Sequence, residues 1–214
     1  MDFSIIKEFY PMYIDALVLT IKLAFYGIVL SFLIGLFCMW VELHKLRFLK
    51  LICNAYIELS RNTPLLIHLF FLYYALPKLG IKFEAFTCGV IGLAFLGGSY
   101  MAESLKSGLN AVSKHQIESG YALALNKNQI LYYIILPLSL RVSMAGISAN
   151  IIFLLKETSV VSVIALADLV YTAKDIIGLY YVTNEALFML CVAYFIMILP
   201  LSLFLTWFEA RIKK

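Results

Sequence analysis

Long apolar runs joined by short polar connections constrain this chain more than any other feature. A bilayer core takes about 20 apolar residues per helix, and the chain contains five runs of roughly that length. We predict membrane spans at about residues 17–41, 62–77, 85–101, 138–166 and 186–207. Only 14% of the residues are charged, whereas about a quarter is usual in a soluble domain. The sequence therefore predicts an all-α, polytopic membrane protein, with residues 1–214 forming a single transmembrane domain.

The basic residues are divided unequally between the two sets of connecting loops. One set holds Lys45, Arg47, Lys50, Arg61, Lys106, Lys114, Lys127, Arg141, Arg211, Lys213 and Lys214. The opposite set holds Lys7, Lys78, Lys82 and Lys174. Because positively charged loops tend to stay in the cytoplasm, we expect the N-terminus outside and the C-terminus inside, which requires an odd number of spans. Trp40 and Trp207 then lie at the cytoplasmic interface, where aromatic side chains are enriched.

The longest polar-rich interruption between the apolar runs is Glu118–Pro137. Its composition is typical of a short amphipathic helix. One side would carry Ala122, Leu123, Leu125 and Ile130, and the other Asn126, Lys127, Asn128 and Gln129. Pro137 cannot continue a helix, so we predict that this helix ends before it and that the chain turns there into the next span.

This segment resembles the cytoplasmic coupling loop of ABC importer permeases, which here covers about residues 114–137. The family pattern is Glu-Ala-Ala, a Gly at the sixth residue after the Glu, and an aliphatic-Leu-Pro ending. Glu118 and the ending match, and Ala124 stands where the family keeps the Gly. The resemblance implies docking on a separate ATPase through Glu118, Ser119, Gly120, Ala124, Leu125 and Pro137. The physical alternative is a helix lying on the membrane, but such helices usually carry several Lys on the polar face, and this one carries Lys127 alone.

A second stretch, Glu58–Leu66, reads Glu-Leu-Ser-Arg-Asn-Thr-Pro-Leu-Leu. Thr63 before Pro64 predicts a helix start, since Pro is tolerated in the first turn. The stretch resembles the E-L-x-R-x-T-P-L-L segment of the polar amino acid branch of ABC permeases. The residues that carry this resemblance are Glu58, Arg61, Thr63 and Pro64, and Asn62 stands where the branch most often has Gly.

Small residues mark the third span, which contains Gly89, Gly92, Gly97 and Gly98. Small residues at helical spacing allow membrane helices to approach closely, so we predict that this span is a packing centre. The stretch Gly97–Glu103 resembles the same branch, in which a small-residue pair precedes an aromatic residue, an Ala and a Glu.

Lys156 and Glu157 interrupt the fourth span. Charges inside a span are costly, and they usually pair or face a water-filled cavity. Adjacent residues point about 100° apart on a helix, so we do not expect these two to pair with each other. A role in a translocation pathway and a structural ion pair with another helix are both compatible with the sequence, with Glu157 slightly favoured as the pathway residue. The branch has L-K-D/E-T-S at this point.

Polar side chains in spans three and four are further candidates for the translocation pathway. Glu103, Ser148 and Asn150 could contact a substrate, although Ser and Asn more often bond to the backbone of their own helix. His68 lies alone among Leu and Phe residues, and we predict a packed polar group rather than a proton relay.

Several function classes lack their signatures in this sequence. It contains no G-x-x-x-x-G-K-S/T pattern, so we expect no cofactor here, with ATP and Mg²⁺ bound by a separate subunit. The Cys residues are scattered without partners at metal spacing, and no metal site or nucleic-acid partner is predicted. A membrane enzyme would need a catalytic cluster, which is not visible. An ion-gradient-driven secondary transporter is the alternative hypothesis, but it usually shows an internal repeat.

The family resemblance implies a permease subunit with a type I ABC importer core, in the inner membrane of a bacterium. It implies a second permease subunit, two cytoplasmic ATPase subunits and an extracytoplasmic amino acid-binding protein, working by alternating access. The substrates of the branch are glutamine, glutamate or aspartate, cystine and basic amino acids, and the sequence does not choose among them. Homodimer and heterodimer both stay open, with Ala124 slightly favouring a pair of different permeases.

Overall fold

The computed structural model describes residues 3–213, and within that range it contains helices and short connections but no strand. The α-helices are α1 (Phe3–Leu43), α2 (Arg47–Arg61), α3 (Leu65–Phe70), α4 (Ala85–Asn110), α5 (Lys114–Ala122), α6 (Lys127–Ile130), α7 (Leu136–Glu157), α8 (Leu169–Tyr180) and α9 (Thr183–Lys213). Two π-helical segments are Phe71–Ala75 after α3 and Leu131–Ile135 after α6, and two 3₁₀ segments are Leu76–Leu79 and Thr158–Ile164. The predicted all-α fold is confirmed.

Four helices of the described chain are long and apolar enough to cross a membrane. They cover Ser4–Leu43, Ala85–Asn110, Lys127–Ile164 and Thr183–Ile212. These helices overlap four of the five predicted spans, and each is longer than the span. The difference has a simple cause, because backbone hydrogen bonding continues a helix through polar residues that a hydropathy average excludes.

The second predicted span, at about residues 62–77, overlaps a shorter apolar helix, Leu65–Leu79, which follows α2. Tyr56 Oη in α2 donates a hydrogen bond of 2.6 Å to the carbonyl oxygen of Phe95, well inside α4. The helix then breaks before Pro64, whose backbone is extended (φ −61°, ψ 144°), and α3 begins at the next residue. The predicted helix start at Pro64 is therefore correct to within one residue. α2 itself is amphipathic, and it buries Cys53, Ile57 and Ser60.

The centre of the bundle is α4, which packs along α1 through small residues. A Cβ on Gly27 of α1 would lie 2.9 Å from Leu93 Cβ, and one on Gly35 would lie 2.7 Å from Met101 Cβ. Leu93 and Met101 are fully buried. Ser31 Oγ also donates to the Leu93 carbonyl oxygen at 3.2 Å. Lipid is as apolar as these helices, so the hydrophobic effect does not drive them together. Close packing of the backbones and interhelical hydrogen bonds stabilise the pair instead.

A second cluster lies where α1 begins, beside α8 and α9. Phe9 and Tyr13 of α1 pack there with Leu169 and Ile176 of α8. Tyr13 Oη donates to the Ala186 carbonyl oxygen at 2.7 Å, which ties α1 to the start of α9. α1 therefore packs against α4 along one part of its length and against α8 and α9 near its start, and it connects the two clusters.

Candidate functional site

Charged side chains are exposed on one face of the bundle, where α2 ends beside α4. Arg61 Nη1 lies 3.2 Å from Glu103 Oε2, and the two side chains are 42% and 40% exposed. The Arg61 guanidinium also lies over the Tyr100 ring, 5.5 Å from its centroid. The structure thus joins two stretches that the sequence analysis singled out separately, Glu58–Leu66 and Gly97–Glu103. We call this surface, made of Glu58, Arg61, Asn62, Pro64, Tyr100 and Glu103, the open face.

Local hydrogen bonds close the break between α2 and α3. Asn62 Nδ2 donates to Glu58 O at 2.8 Å and to Glu58 Oε2 at 3.2 Å. Thr63 Oγ1 donates to Leu59 O at 2.8 Å. Carbonyls in the last turn of a helix often lack backbone partners, and Thr63 Oγ1 supplies one to Leu59 O. Asn62 adds a side-chain bond to Glu58 O, which already accepts a backbone bond of 3.2 Å from Asn62 N.

Two predicted pathway residues on α7 lie within the helix packing. Asn150 Nδ2 donates to Tyr100 O at 3.0 Å and to Ser104 Oγ at 2.9 Å, which ties α7 to α4. Ser148 is 5% exposed, and its hydroxyl has no hydrogen-bond partner among the described residues. Asn150 therefore ties α7 to the helix that carries Tyr100, and the Ser148 hydroxyl is buried.

Lys156 and Glu157 end α7, with Lys156 exposed and Glu157 half-buried. Neither side chain forms an ion pair with any residue in the described part of the chain. The chain tightens into a 3₁₀ segment directly after them, where Thr158 Oγ1 donates to Leu155 O at 2.7 Å. Two neighbouring charges of opposite sign are therefore held at the end of a rigid helix without a structural partner.

The segment predicted to form one amphipathic helix contains two helices separated by a turn. α5 starts with a capping box, in which Gln116 N donates to Ser113 Oγ at 3.3 Å and Ser113 N donates to Gln116 Oε1 at 3.0 Å. A second capping box starts α6, where Gln129 N donates to Asn126 Oδ1 at 3.0 Å and Asn126 N donates to Gln129 Oε1 at 2.9 Å. The prediction of a single helix is wrong, because two strong start signals follow each other closely.

Ala124 forms the turn between these helices. Its φ of 56° lies in the left-handed region. Leu125 N donates to Gly120 O at 3.1 Å and Ala124 N donates to Tyr121 O at 2.9 Å, which are the two bonds of a Schellman motif. The position favours Gly, since a Cβ in this conformation costs about 1–2 kcal/mol. Ala in place of the family Gly at position 124 therefore adds backbone strain to this turn.

Pro137 lies inside a continuous helix. The helix starts at Lys127 and passes through the π-helical Leu131–Ile135 into α7. The prediction that the chain turns at Pro137 is wrong. A π-helical turn displaces the carbonyl groups that would otherwise clash with the ring of a proline, so the helix continues through it.

The outer side of α5 is the surface available to a partner. The Glu118 side chain is 69% exposed, Leu123 is 75% exposed and Ser119 is also exposed. Gly120 lies on the opposite side and is buried, and a Cβ there would lie 2.7 Å from Ile134 Cδ1. The small Gly therefore holds α5 against the π-helical segment, and Glu118 and Ser119 face outward.

The sequence analysis missed a buried carboxylate, Asp168, which caps α8 outside the apolar spans. Its Oδ1 accepts a bond of 2.8 Å from Tyr171 N, and its Oδ2 has no partner among the described residues. Burial raises the pKa of Asp168 to about 6. The next residue of the chain is also held from α1, because Leu169 N donates a hydrogen bond of 3.2 Å to Thr20 Oγ1. An Asp directly before an apolar run is a helix-start signal, and it could have predicted this cap but not its burial.

The described residues form a bundle with four helices long enough to cross a membrane, a charged open face beside a broken helix and a twice-capped segment between α4 and α7, which is an arrangement suited to a transport permease. The sequence matches the family described as "Binding-protein-dependent transport system inner membrane component" over residues 27–214. The chain belongs to this family. The resemblance to ABC permeases found in the sequence is thereby confirmed.

Individual relatives agree with this assignment. The probable glutamine ABC transporter permease protein GlnP of Bacillus subtilis (strain 168) is 35% identical over 164 residues, which is 77% of this chain and 75% of the relative. The probable glutamine ABC transporter permease protein GlnM of the same organism is 27% identical and covers 100% of this chain and 99% of the relative. A crystal structure of an amino acid ABC transporter with histidines has a TM-score of 0.91 at 33% identity, covering 99% of both chains. The MetNI methionine ABC transporter, with a TM-score of 0.74 at 16% identity, supports the fold alone.

Proposed function

We propose that this chain is the permease subunit of an ATP-driven ABC importer for polar amino acids. The observation that carries the proposal is the open face, where Arg61 and Glu103 are exposed at a helix break and Glu103 belongs to a helix long and apolar enough to cross a membrane. Charged groups are too costly to leave in lipid, so this face needs a water-filled pathway or a second subunit against it. A permease pair with the pathway between or beside these faces meets both needs.

The pathway residues follow from this arrangement. Arg61, Glu103, Lys156 and Glu157 supply both signs of charge, which suits the two charged ends of a zwitterionic amino acid. Glu58 and the broken helix around Thr63 and Pro64 would widen the pathway beside them. Ser148 and Asn150 would act only after α7 moves, because their present contacts are those of packed helices.

The movement driven by ATP hydrolysis would reach the permease through the segment that contains α5. Glu118, Ser119 and Leu123 form its exposed side, while Gly120 fixes it to the helix that continues into α7. A partner that pushes on α5 would therefore move α7 and, through Asn150, α4. We infer that two cytoplasmic ATPase subunits supply this push, with ATP and Mg²⁺ held by them, and that the two permeases alternate between inward and outward access.

The orientation proposed here has the N-terminus outside and α5 in the cytoplasm of a bacterial cell. It rests on the charge distribution of the loops. An amino acid-binding protein would deliver the substrate from outside. Glutamine is the first substrate to test, because the relatives named GlnP and GlnM are described as probable glutamine permeases.

The test compares ATPase binding and uptake in the wild type and two charge reversals. Glu118→Lys changes the exposed side of α5, and Glu84→Lys changes an exposed carboxylate at the other end of the bundle as a matched control. We expect Glu118→Lys to lose both the co-purifying ATPase and glutamine uptake while inserting normally, and Glu84→Lys to keep both. Uptake that survives ATP depletion and stops when ion gradients are collapsed would instead establish a secondary transporter.

A further inference from the structure

A cavity of about 550 Å³ lies between the end of α1, the end of α4 and the helices α5 and α6. Its walls are largely aliphatic, with Leu109 from α4, Ile117 from α5 and Leu131 from the π-helical segment. The cavity therefore separates the end of α1 from the segment through which we propose that energy enters. Nothing in the proposed transport cycle uses it.

Two cations line this cavity from opposite sides, Lys45 after α1 and Lys127 at the start of α6. Within the described residues, neither ammonium group forms an ion pair. Glu42 also lines the cavity, but its Oε1 accepts a bond of 2.7 Å from Lys50 Nζ and its charge is compensated. The cavity thus combines a net positive charge with largely aliphatic walls.

The cavity lies at the ends of two helices that are long and apolar enough to cross a membrane. Lys45 follows the helix Ser4–Leu43, and Lys127 begins the helix Lys127–Ile164. The side of α1 just before this point is apolar and exposed, with Leu33 at 54%, Phe37 at 50% and Trp40 at 46%. This exposed apolar side of α1 is suited to contact with lipid and leads toward Lys45.

We propose that this cavity binds one anionic phospholipid of the cytoplasmic leaflet. Its phosphate would lie between Lys45 and Lys127, and its glycerol and upper acyl chains would lie against the aliphatic walls, as in other basic pockets between membrane helices. The bound lipid would bridge the end of α1 and the start of α6, and so restrain the coupling segment. The assignment to the cytoplasmic leaflet rests on the orientation in the proposed function.

Lipid binding to the detergent-purified full-length chain tests this site. Dioleoyl phosphatidylglycerol, dioleoyl phosphatidylcholine and inorganic phosphate are titrated separately, with bound lipid counted by native mass spectrometry and the thermal midpoint followed. We expect one tightly bound phosphatidylglycerol and a raised midpoint, with little response to the other two probes. Lys45→Gln combined with Lys127→Gln should weaken phosphatidylglycerol binding on the order of tenfold.

The matched control is Lys78→Gln combined with Lys82→Gln, which removes two exposed lysines from the other end of the bundle. It should bind phosphatidylglycerol like the wild type. Equal responses to phosphatidylglycerol and phosphatidylcholine, an equal response to inorganic phosphate, or an equal loss in the control pair would each overturn the proposal. The assay contains no ATPase and no amino acid, so its result is separate from that of the uptake experiment.

Discussion

The packed side of α4 and the open face that it shares with α2 are built on different principles. On the packed side, Gly97 admits Ser31 and Leu154 so closely that a Cβ would overlap both. On the open face, a few residues further along α4, Glu103 keeps 40% of its side chain exposed beside Arg61. The first arrangement stabilises one chain by contact, and the second leaves charge to be covered by water or a partner. Substitutions on the two sides should therefore separate folding from transport.

The largest effect is expected at Gly97. In Gly97→Leu the new side chain would occupy the space of Ser31 and Leu154, which are both buried, so we expect a loss of about 3 kcal/mol in the free energy of unfolding. The amount of folded protein and its thermal midpoint in detergent measure this loss. Gly178→Leu is the control, because a Cβ at Gly178 has no neighbour within 4 Å. A wild-type midpoint for Gly97→Leu would remove the distinction between the two sides.

Asp168 tests how a second packed region, where α8 meets α1, tolerates a charge. Its folded-state pKa of about 6 exceeds its ordinary value of 3.8, so the protonated acid is favoured in the fold. Its contribution to stability is complete below about pH 4 and is lost as pH rises through 6, a change of about 3 kcal/mol. Asp168→Asn keeps a helix-capping side chain without the titration and should lose this pH dependence.

Thermal midpoints between pH 4 and pH 7 measure the difference between the wild type and Asp168→Asn. The control is Asp175→Asn, which changes an exposed carboxylate on the same helix and should follow the wild-type curve. Parallel curves for all three proteins would mean that Asp168 does not titrate in this window.

Ala124 offers a smaller and local change. Ala124→Gly relieves the left-handed strain at φ 56°, so we expect α5 to gain about 1 kcal/mol. Ala122→Gly, within α5 itself, should instead lose about 0.5–1 kcal/mol. Hydrogen exchange of the α5 amides measures both, with exchange slowed roughly fivefold in the first variant and accelerated in the second. Faster exchange in Ala124→Gly would contradict the strain argument.

The smallest effect on stability is expected at Arg61. An ion pair that is this exposed contributes about 0–1 kcal/mol, so Arg61→Glu should keep a near-wild-type midpoint while abolishing uptake. Combining Arg61→Glu with Glu103→Arg restores the pair in reverse and should recover part of the uptake. Midpoint and initial uptake rate are measured at matched membrane levels. If Arg61→Glu destabilised the chain as strongly as Gly97→Leu, the open face would be structural.

Much of the architecture could be predicted from the sequence because its causes are local or compositional. Apolar runs indicated a membrane protein, and the Gly residues of the third span indicated the helix that others pack against. Thr63 and Pro64 marked a helix start because the ring and missing N–H of Pro act on neighbouring residues alone. The open face was half predicted, since Arg61 and Glu103 were each singled out but not paired.

The sequence by itself determined the all-α membrane fold and the permease family, and it marked the segment that we propose couples to a partner. Only the tertiary structure decided that α2 packs against α4, that Arg61 meets Glu103, and that Asp168 is buried. It also decided that a helix passes through Pro137 while Ala124 forms a turn. The physical reason is the same in each case. Hydropathy and caps act within a few residues, whereas burial, ion pairs and tolerated strain depend on which distant helix occupies the neighbouring space.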